Sequence, residues 1–301
     1  MAILIDEKTR ILVQGITGKQ GAIATKEMLS YGSNVVCGVT PGKGGEYVEG
    51  LSVYNSVREA LQLSVIDASV VYVPPFFVKN AVFEAIDAGV KLIVIVTECV
   101  PLHDSAKIIA YAREHSVRLI GPSSVGIISP GRSKVGSVGG FDRAFSPGKV
   151  GILSKSGGML SETALLLTQR GIGQSTAVGI GGDVLIGSSF SDLLSLFEKD
   201  EETDAVVVFG EIGGSYEEEL AAFIKHKNCT KPVVAFISGA FADHLPSIPL
   251  GHAGAIIEGA SGTRTSKVSS LKAAGVLVAE VHHELVDLLE KALSSWNGKQ
   301  K

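Results

Sequence analysis

Apolar runs and amphipathic stretches alternate along the chain from start to finish. In the first half RILVQG, NVVCGVT, ASVVYVP, KLIVIVT and RLIGP read as short, nearly continuous apolar strands. Helical patterns such as GAIATKEMLSYG and FFVKNAVFEAIDAG lie between them. In the latter, Phe77, Val78, Ala81, Val82, Ala85 and Ile86 fall on one helix face, and Gly89 supplies the stop. Apolar strands joined by crossover helices predict a parallel sheet covered on both sides.

The alternation breaks at ISPGRSKVGSVGGFDRAFSPGK (residues 128–149), a Gly-, Pro- and Ser-rich segment, and then resumes. The later strands are KVGILS, STAVGI, AVVVFG, PVVAFIS and VLVAEV. The later helices are MLSETALLLTQRG, FSDLLSLFEKD, YEEELAAFIKHK, SKVSSLKAAG and ELVDLLEKALSS. The expected fold class is α/β with two doubly wound domains, residues 1–128 Rossmann-like and residues 129–301 flavodoxin-like, both with mainly parallel sheets. In such sheets ligands bind at the carboxyl ends of strands, where loops meet helix N-termini.

Composition narrows the function classes. Aromatics are only 6% of 301 residues while glycines number 36, which suits many tight strand-to-helix turns. A net charge of −4 gives no sign of a nucleic-acid surface or a polybasic membrane patch. No apolar run is long enough to cross a bilayer, and the first ten residues lack a signal-peptide layout. Three scattered cysteines, Cys37, Cys99 and Cys229, have no metal-ligand spacing and read as reduced, pointing to a cytoplasmic protein or one in a comparable reducing compartment.

The candidate chemistry lies at glycine-rich strand ends. The first strand runs into QGITGKQG, with Gly15, Gly18 and Gly21 at three-residue spacing ahead of a helix. Such a turn brings backbone N–H groups and a helix N-terminus up to a phosphate, although the spacing also suits a tight turn with no ligand. An NAD site would want an acidic residue at the end of the second strand. That strand instead enters GVTPGKGGEYVEG, which puts Lys43 among glycines. A ligand with several phosphates, such as coenzyme A, fits this better than NAD; NADP stays open. GILSKSGGMLSE repeats the device, with Ser156, Gly157 and Gly158 at a helix start, and VGIGGD and FGEIGGS are further glycine-rich strand ends.

His252, in SIPLGHAGAIIEGA, has no charged neighbours and no helical spacing that would make it one tooth of a polar face. It reads either as a core or turn histidine with satisfied ring nitrogens or as a nucleophile on the crest of the second sheet. In the second case it would attack a phosphoryl group while the helix starting at Ser156 holds the transferred phosphate. Such a histidine needs a carboxylate on its other nitrogen, and Glu211 in FGEIGG suits that role as well as that of a helix-cap partner.

Taken in order, GITGKQG, GVTPGKGG, GILSKSGG, AVGIGGD, GEIGGS and GHAGAII resemble the alpha subunit of succinyl-CoA synthetase (succinate–CoA ligase, nucleoside-diphosphate-forming) over nearly the whole chain. The resemblance implies an N-terminal CoA-binding domain followed by a ligase domain. It places the transiently phosphorylated histidine on His252, its carboxylate partner on Glu211 and the phosphate-cradling helix start on Ser156, Gly157 and Gly158. It puts coenzyme A contacts on Thr17, Gly18, Lys19 and Gln20, on Lys43, and on Val96, Thr97 and Glu98. It further implies a separate beta subunit with an ATP-grasp fold that holds ATP or GTP with Mg²⁺, cytoplasmic residence (or the mitochondrial matrix in a eukaryote), and a route through phosphohistidine and acyl phosphate to the thioester.

Three stretches depart from that family. Ser161, in SGGMLSE, stands where a tyrosine of a pattern like SGTLTYE borders the acid substrate; GPSSVG replaces GPNCPG; and FADHLPSIPLGHAG lacks the usual Lys and Arg before the histidine. His244 in that loop is a candidate substitute for the missing charge. A different di- or hydroxy-acid substrate of malate or citrate type, or a CoA-binding regulatory paralogue without phosphoryl transfer, are therefore the competing expectations. An NAD(P)-dependent oxidoreductase is disfavoured by the missing acidic residue after the second strand. The remaining histidines read as surface or helix-end groups, with His282 and His283 opening the last helix.

Overall fold

The computed structural model describes residues 2–139, 143–226, 229–240, 252–256 and 262–297. Two seven-stranded sheets account for its cores. The first is built from β1 (Ile11–Gln14), β2 (Val35–Val39), β3 (Tyr47–Val48), β4 (Leu51–Tyr54), β5 (Ala68–Val71), β6 (Leu92–Ile95) and β7 (Arg118–Ile120). Their order across the sheet is β3-β4-β2-β1-β5-β6-β7, all parallel but for the β3–β4 hairpin. Crossovers are α1 (Lys19–Ser30), α2 (Val57–Leu63), α3 (Val78–Asp87) and α4 (Leu102–Glu114). β1, β5 and β6 are buried at every position, as a sheet covered on both faces requires.

The second sheet contains β8 (Gly126–Ser129), β9 (Ser133–Gly136), β10 (Pro147–Ser154), β11 (Gln174–Gly179), β12 (Ala205–Gly210), β13 (Val233–Ile237) and β14 (Leu277–Ala279), in the order β14-β13-β12-β10-β11-β8-β9. The five strands from β10 onward are parallel and follow the flavodoxin-like order 2-1-3-4-5. They are covered by α5 (Gly157–Gln169), α6 (Phe190–Lys199), α7 (Tyr216–Lys225), α8 (Arg264–Ala273) and α9 (Glu284–Asn297). α6 shows why a helix starts where it does: Ser189 and Asp192 form a reciprocal capping box, and Phe190, Leu193, Leu194 and Phe197 make its buried stripe.

Two expectations change. The stretch from 128 to 149 is not only a connection: β8 and β9 form an antiparallel hairpin on the edge of β11, so a break after residue 128 falls inside a strand of the second sheet. Gly and Ser there leave no hydrophobic alternation, yet all eight strand positions are buried. Phe77, assigned to the core face of α3, is 61% exposed, because the chain turns through a short 3-10 segment, Pro75–Phe77, before α3 begins at Val78.

The crests of the two sheets are tied together by the segment at 121–124. Ser123 N–H donates to Thr97 O and Ser124 N–H to Ile95 O at the end of β6, while Gly121 N–H donates to Ile180 O beyond β11 and Gly182 N–H to Ser123 O. Strand ends from both domains therefore face one region.

Candidate active site

In the second sheet, strand order reverses between β10 and β12, so the loops leaving these two strands part there and open a crevice. β10 delivers Lys155 and Ser156; β12 delivers Glu211. Lys155 is 2% exposed, its backbone N–H bonded to Phe209 O at 3.1 Å. Ser156 caps α5 by accepting from Met159 N–H, and the first turn of that helix carries no acidic side chain. Glu211 is 8% exposed; its backbone N–H donates to Glu217 Oε1 at 3.1 Å, and Glu217 in turn forms a fully buried ion pair with Lys267 of α8.

His252 is laid across this crest. Its Nδ1 lies 2.8 Å from Glu211 Oε2, and Lys155 Nζ lies 3.6 Å from the other oxygen, Glu211 Oε1. A carboxylate only accepts, so Nδ1 carries a proton, and in the neutral ring Nε2 keeps its lone pair. The His252 side chain is 36% exposed, which leaves that nitrogen within reach of a reactant. Its hydrogen bond to Glu211 raises the imidazole pKa above the ordinary 6.5, and burial and the Lys155 charge oppose the rise.

The glycines explain how the ring fits. A Cβ on Gly182 would sit 2.7 Å from His252 Cγ and Cδ2, so the ring rests on bare backbone. Gly213, at φ +87°, passes so close to the His252 segment that its Cβ would meet Gly254 O at 2.3 Å. Gly254 N–H donates to Gly182 O, which fixes the histidine turn on the loop after β11. Two buried carboxylate oxygens here, Asp183 Oδ2 and Glu211 Oε1, lack a hydrogen-bond donor among the described residues. Burial, and next the charge of Glu98 from the first domain, raise the Asp183 pKa.

The first sheet has its own crevice, at its reversal between β1 and β5. A cavity of about 670 Å³ opens there, lined by Thr17, Gly18, Lys19 and Gln20 on one side and by Pro41, Val73, Pro74 and Phe77 among the others. Gly18 caps α1 without a side-chain hydrogen bond and no acidic residue follows, so the first N–H groups of α1 have no side-chain acceptor. An anionic group with an apolar extension suits such a cavity: donors and Lys19 at one end, proline and aromatic walls at the other.

The remaining expected residues sit as follows. Lys43 does not line the cavity; it pairs on the surface with Glu46 at 3.0 Å. Val96, Thr97 and Glu98 follow β6 at the junction of the two crests. Thr97 Oγ1 donates to Val73 O at 2.8 Å, and Glu98 is exposed and acts on His252 and Asp183 by charge alone. Gly157 packs on Val125, whereas Gly158 has open space around its Cα. Ser161 is half-buried on α5, with no hydrogen bond to His252 or Glu211. His244 lies outside the described residues. His282, one of the helix-opening histidines, is bonded to Thr163 at 2.9 Å between Phe209 and Phe236, and burial lowers its pKa. Sequence reasoning missed Lys155 and placed Phe77 in the core rather than on the cavity wall. A lysine after a strand gives no sign of burial, but the adjacent aromatics in VPPFF were a signal for an exposed apolar contact.

Among the described residues no cluster of His, Cys, Asp or Glu could hold a metal ion, and no helix is long and apolar enough to cross a membrane.

Known proteins resemble this chain in sequence and fold. Residues 6–99 match the CoA binding domain family and residues 153–277 the CoA-ligase family. The chain is 51% identical over 293 residues to succinate–CoA ligase [ADP-forming] subunit alpha 1 of Archaeoglobus fulgidus, covering 97% of this chain and 99% of that one. It is 50% identical over 291 residues to the corresponding alpha subunit of Methanothermobacter thermautotrophicus, with 97% of each chain covered. Among solved structures it superposes, with a TM-score of 0.91 and 26% identity, on ATP citrate lyase from Methanothrix soehngenii in complex with citrate and coenzyme A. That match takes in 99% of this chain, which spans about half (52%) of the citrate lyase chain.

Proposed function

The chain belongs to the succinate–CoA ligase alpha-subunit family, and from that premise we propose that it is the alpha subunit of an acid–CoA ligase whose phosphoryl carrier is His252. The observation that carries the reading is the ring held by Glu211 at Nδ1 with Nε2 left open, on a carboxylate backed by a buried lysine. We assign the acid as succinate, the thiol as coenzyme A, and the phosphoryl donor as ATP or GTP, held with Mg²⁺ by an ATP-grasp beta subunit. We place the protein in the cytoplasm.

In the first step the Nε2–P bond forms as the bond between the γ-phosphorus and the nucleoside diphosphate oxygen breaks, while Glu211 keeps the Nδ1 proton in place and offsets the positive charge growing on the ring. The N–H groups at the start of α5, from Gly157 and Gly158 onward, would receive the phosphoryl oxygens, with Ser156 fixing the turn. A carboxylate oxygen of the acid then displaces Nε2 from phosphorus, giving an acyl phosphate and returning the lone pair to His252. Coenzyme A supplies the thiol that takes the acyl group and releases phosphate. Thr17, Gly18, Lys19 and Gln20 would hold its phosphates, and Phe77 with the proline wall its apolar arm. We assign Val96, Thr97 and Glu98 to the passage between the two crevices, Lys43 to outer phosphate contacts and Ser161 to the acid-binding side. Catalysis is then positioning together with stabilisation of moving phosphoryl charge.

The test is to incubate the complex with its beta subunit, Mg²⁺ and γ-labelled ATP or GTP. The expected label is acid-labile and base-stable, is lost in His252→Ala, and is discharged by succinate with coenzyme A. Discharge by citrate or malate instead would reassign the acid; an assembled complex that takes no label from either nucleotide would leave a CoA-binding role.

A further inference from the structure

Lys155 is a buried ionisable group of this crevice that the steps above leave unused. Its side chain is 1% exposed, deeper than any reactive group of the site, and it sits at the joint between β10 and the Ser156 cap of α5. Its ammonium lies 3.6 Å from Glu211 Oε1 and 5.3 Å from the centre of the Tyr216 ring. A lysine is placed so deep only at a cost, and a single carboxylate 3.6 Å away with an aromatic face is a modest compensation if the lysine serves packing alone. The geometry is that of one carboxylate between two cationic partners: Glu211 Oε2 faces His252 and Oε1 faces Lys155.

We propose that Lys155 is a positioning residue that shares Glu211 with His252, so that the carboxylate orients the imidazole without trapping it as imidazolium. This rests on His252 being the phosphoryl carrier. A carboxylate with no second partner would favour the doubly protonated ring, in which both nitrogens are donors and neither can attack phosphorus. The ammonium on Oε1 opposes that positive charge while leaving the Nδ1 hydrogen bond intact. The same linkage ties the ring to the first turn of α5: Lys155 precedes the cap, so the segment that receives the phosphoryl group and the segment that tunes its carrier are one piece of backbone.

The other charged groups facing this trio are accounted for. Glu217 of α7 contacts Glu211 through its backbone N–H and is itself paired with Lys267, which also reaches Glu218 at 3.2 Å. Asp183, from the loop after β11, and Glu98, from the first domain, act on the ring through charge; Glu98 favours the imidazolium and Lys155 disfavours it. Tyr216 is engaged with Val184 O and Ile186 N–H. Among the described residues, Lys155 is thus the lysine that pairs with the histidine's carboxylate.

The experiment compares the pH dependence of single-turnover His252 labelling in the assembled complex for the wild type, Lys155→Met and Lys155→Arg. Methionine keeps the length and removes the charge; arginine keeps the charge. The expected result is an acid limb moved upward by about one pH unit in Lys155→Met and restored close to the wild-type position in Lys155→Arg. Coenzyme A binding in the other domain stays unchanged, which reports on the fold. A labelled wild type whose limb does not move in Lys155→Met, or moves downward, overturns this inference alone. A wild-type complex that takes no label overturns the phosphohistidine reading and this one with it.

Discussion

Gly182→Ala isolates the seat of the histidine from every charged group around it. Gly182 does not have the positive φ that penalises a side chain, so alanine suits its backbone. What alanine cannot do is share the space: its methyl would lie 2.7 Å from His252 Cγ and Cδ2 and 2.9 Å from Nδ1. Ordinary contact begins at 3.4 Å, so the ring must retreat by about 0.7 Å. Taken along the 2.8 Å bond to Glu211, that retreat stretches it to roughly 3.5 Å, beyond an effective hydrogen bond. Displacements near 1 Å at reacting groups cost about 10²-fold in rate, or roughly 2.7 kcal/mol of barrier. Single-turnover labelling in the assembled complex should therefore slow by about 10²-fold, while coenzyme A affinity, which belongs to the other sheet, stays at its wild-type value. Labelling at the wild-type rate would refute the reasoning, because it would mean that the ring reacts from somewhere other than against Gly182.

Further outcomes follow from the same geometry. Because Glu211 raises the His252 pKa, the nucleophile is lost as pH falls through a value above 6.5; Glu211→Gln should move that acid limb downward and slow labelling by about 10²-fold, read from a pH series of label formation. Phe77→Ser should weaken coenzyme A binding about fivefold in calorimetry, yet leave the melting temperature nearly unchanged, since the ring is 61% exposed and stabilises little by itself. Lys267→Met strands the fully buried Glu217 and should cost about 3–5 kcal/mol in denaturant unfolding, with the Glu211 backbone losing its anchor.

Much of this was legible in the chain because apolar strands and crossover helices leave strong periodic marks. Strands β1, β5, β6, β12 and β13 are such runs, buried at nearly every position. The β8–β9 and β3–β4 hairpins were not legible: GIIS, SKVG and YV are too short or too polar to show a period, and their burial comes from neighbours that lie far away in sequence. In the site, the resemblance put coenzyme A contacts on the contiguous turn from Thr17 to Gln20, and all four residues line the cavity of the first sheet. Glu211 and His252, 41 positions apart, were joined by the demand of the imidazole for a carboxylate and by the family resemblance. Lys155 was beyond reach, since only the fold reveals that a lysine next to a strand points inward rather than to water. For Lys43 the glycine-rich setting was legible and its exposed pairing with Glu46, three residues on, was not.

The central claim is that His252 carries the phosphoryl group on Nε2, because Glu211 holds the other nitrogen. The most direct measurement is ³¹P–¹⁵N coupling in the phosphorylated complex, prepared with ¹⁵N-histidine in this chain and its beta subunit, Mg²⁺ and the nucleoside triphosphate. The account predicts one phosphorus-coupled nitrogen, identified as Nε2 of His252 and absent in His252→Ala. Phosphorus on Nδ1, or on any other residue, would contradict it.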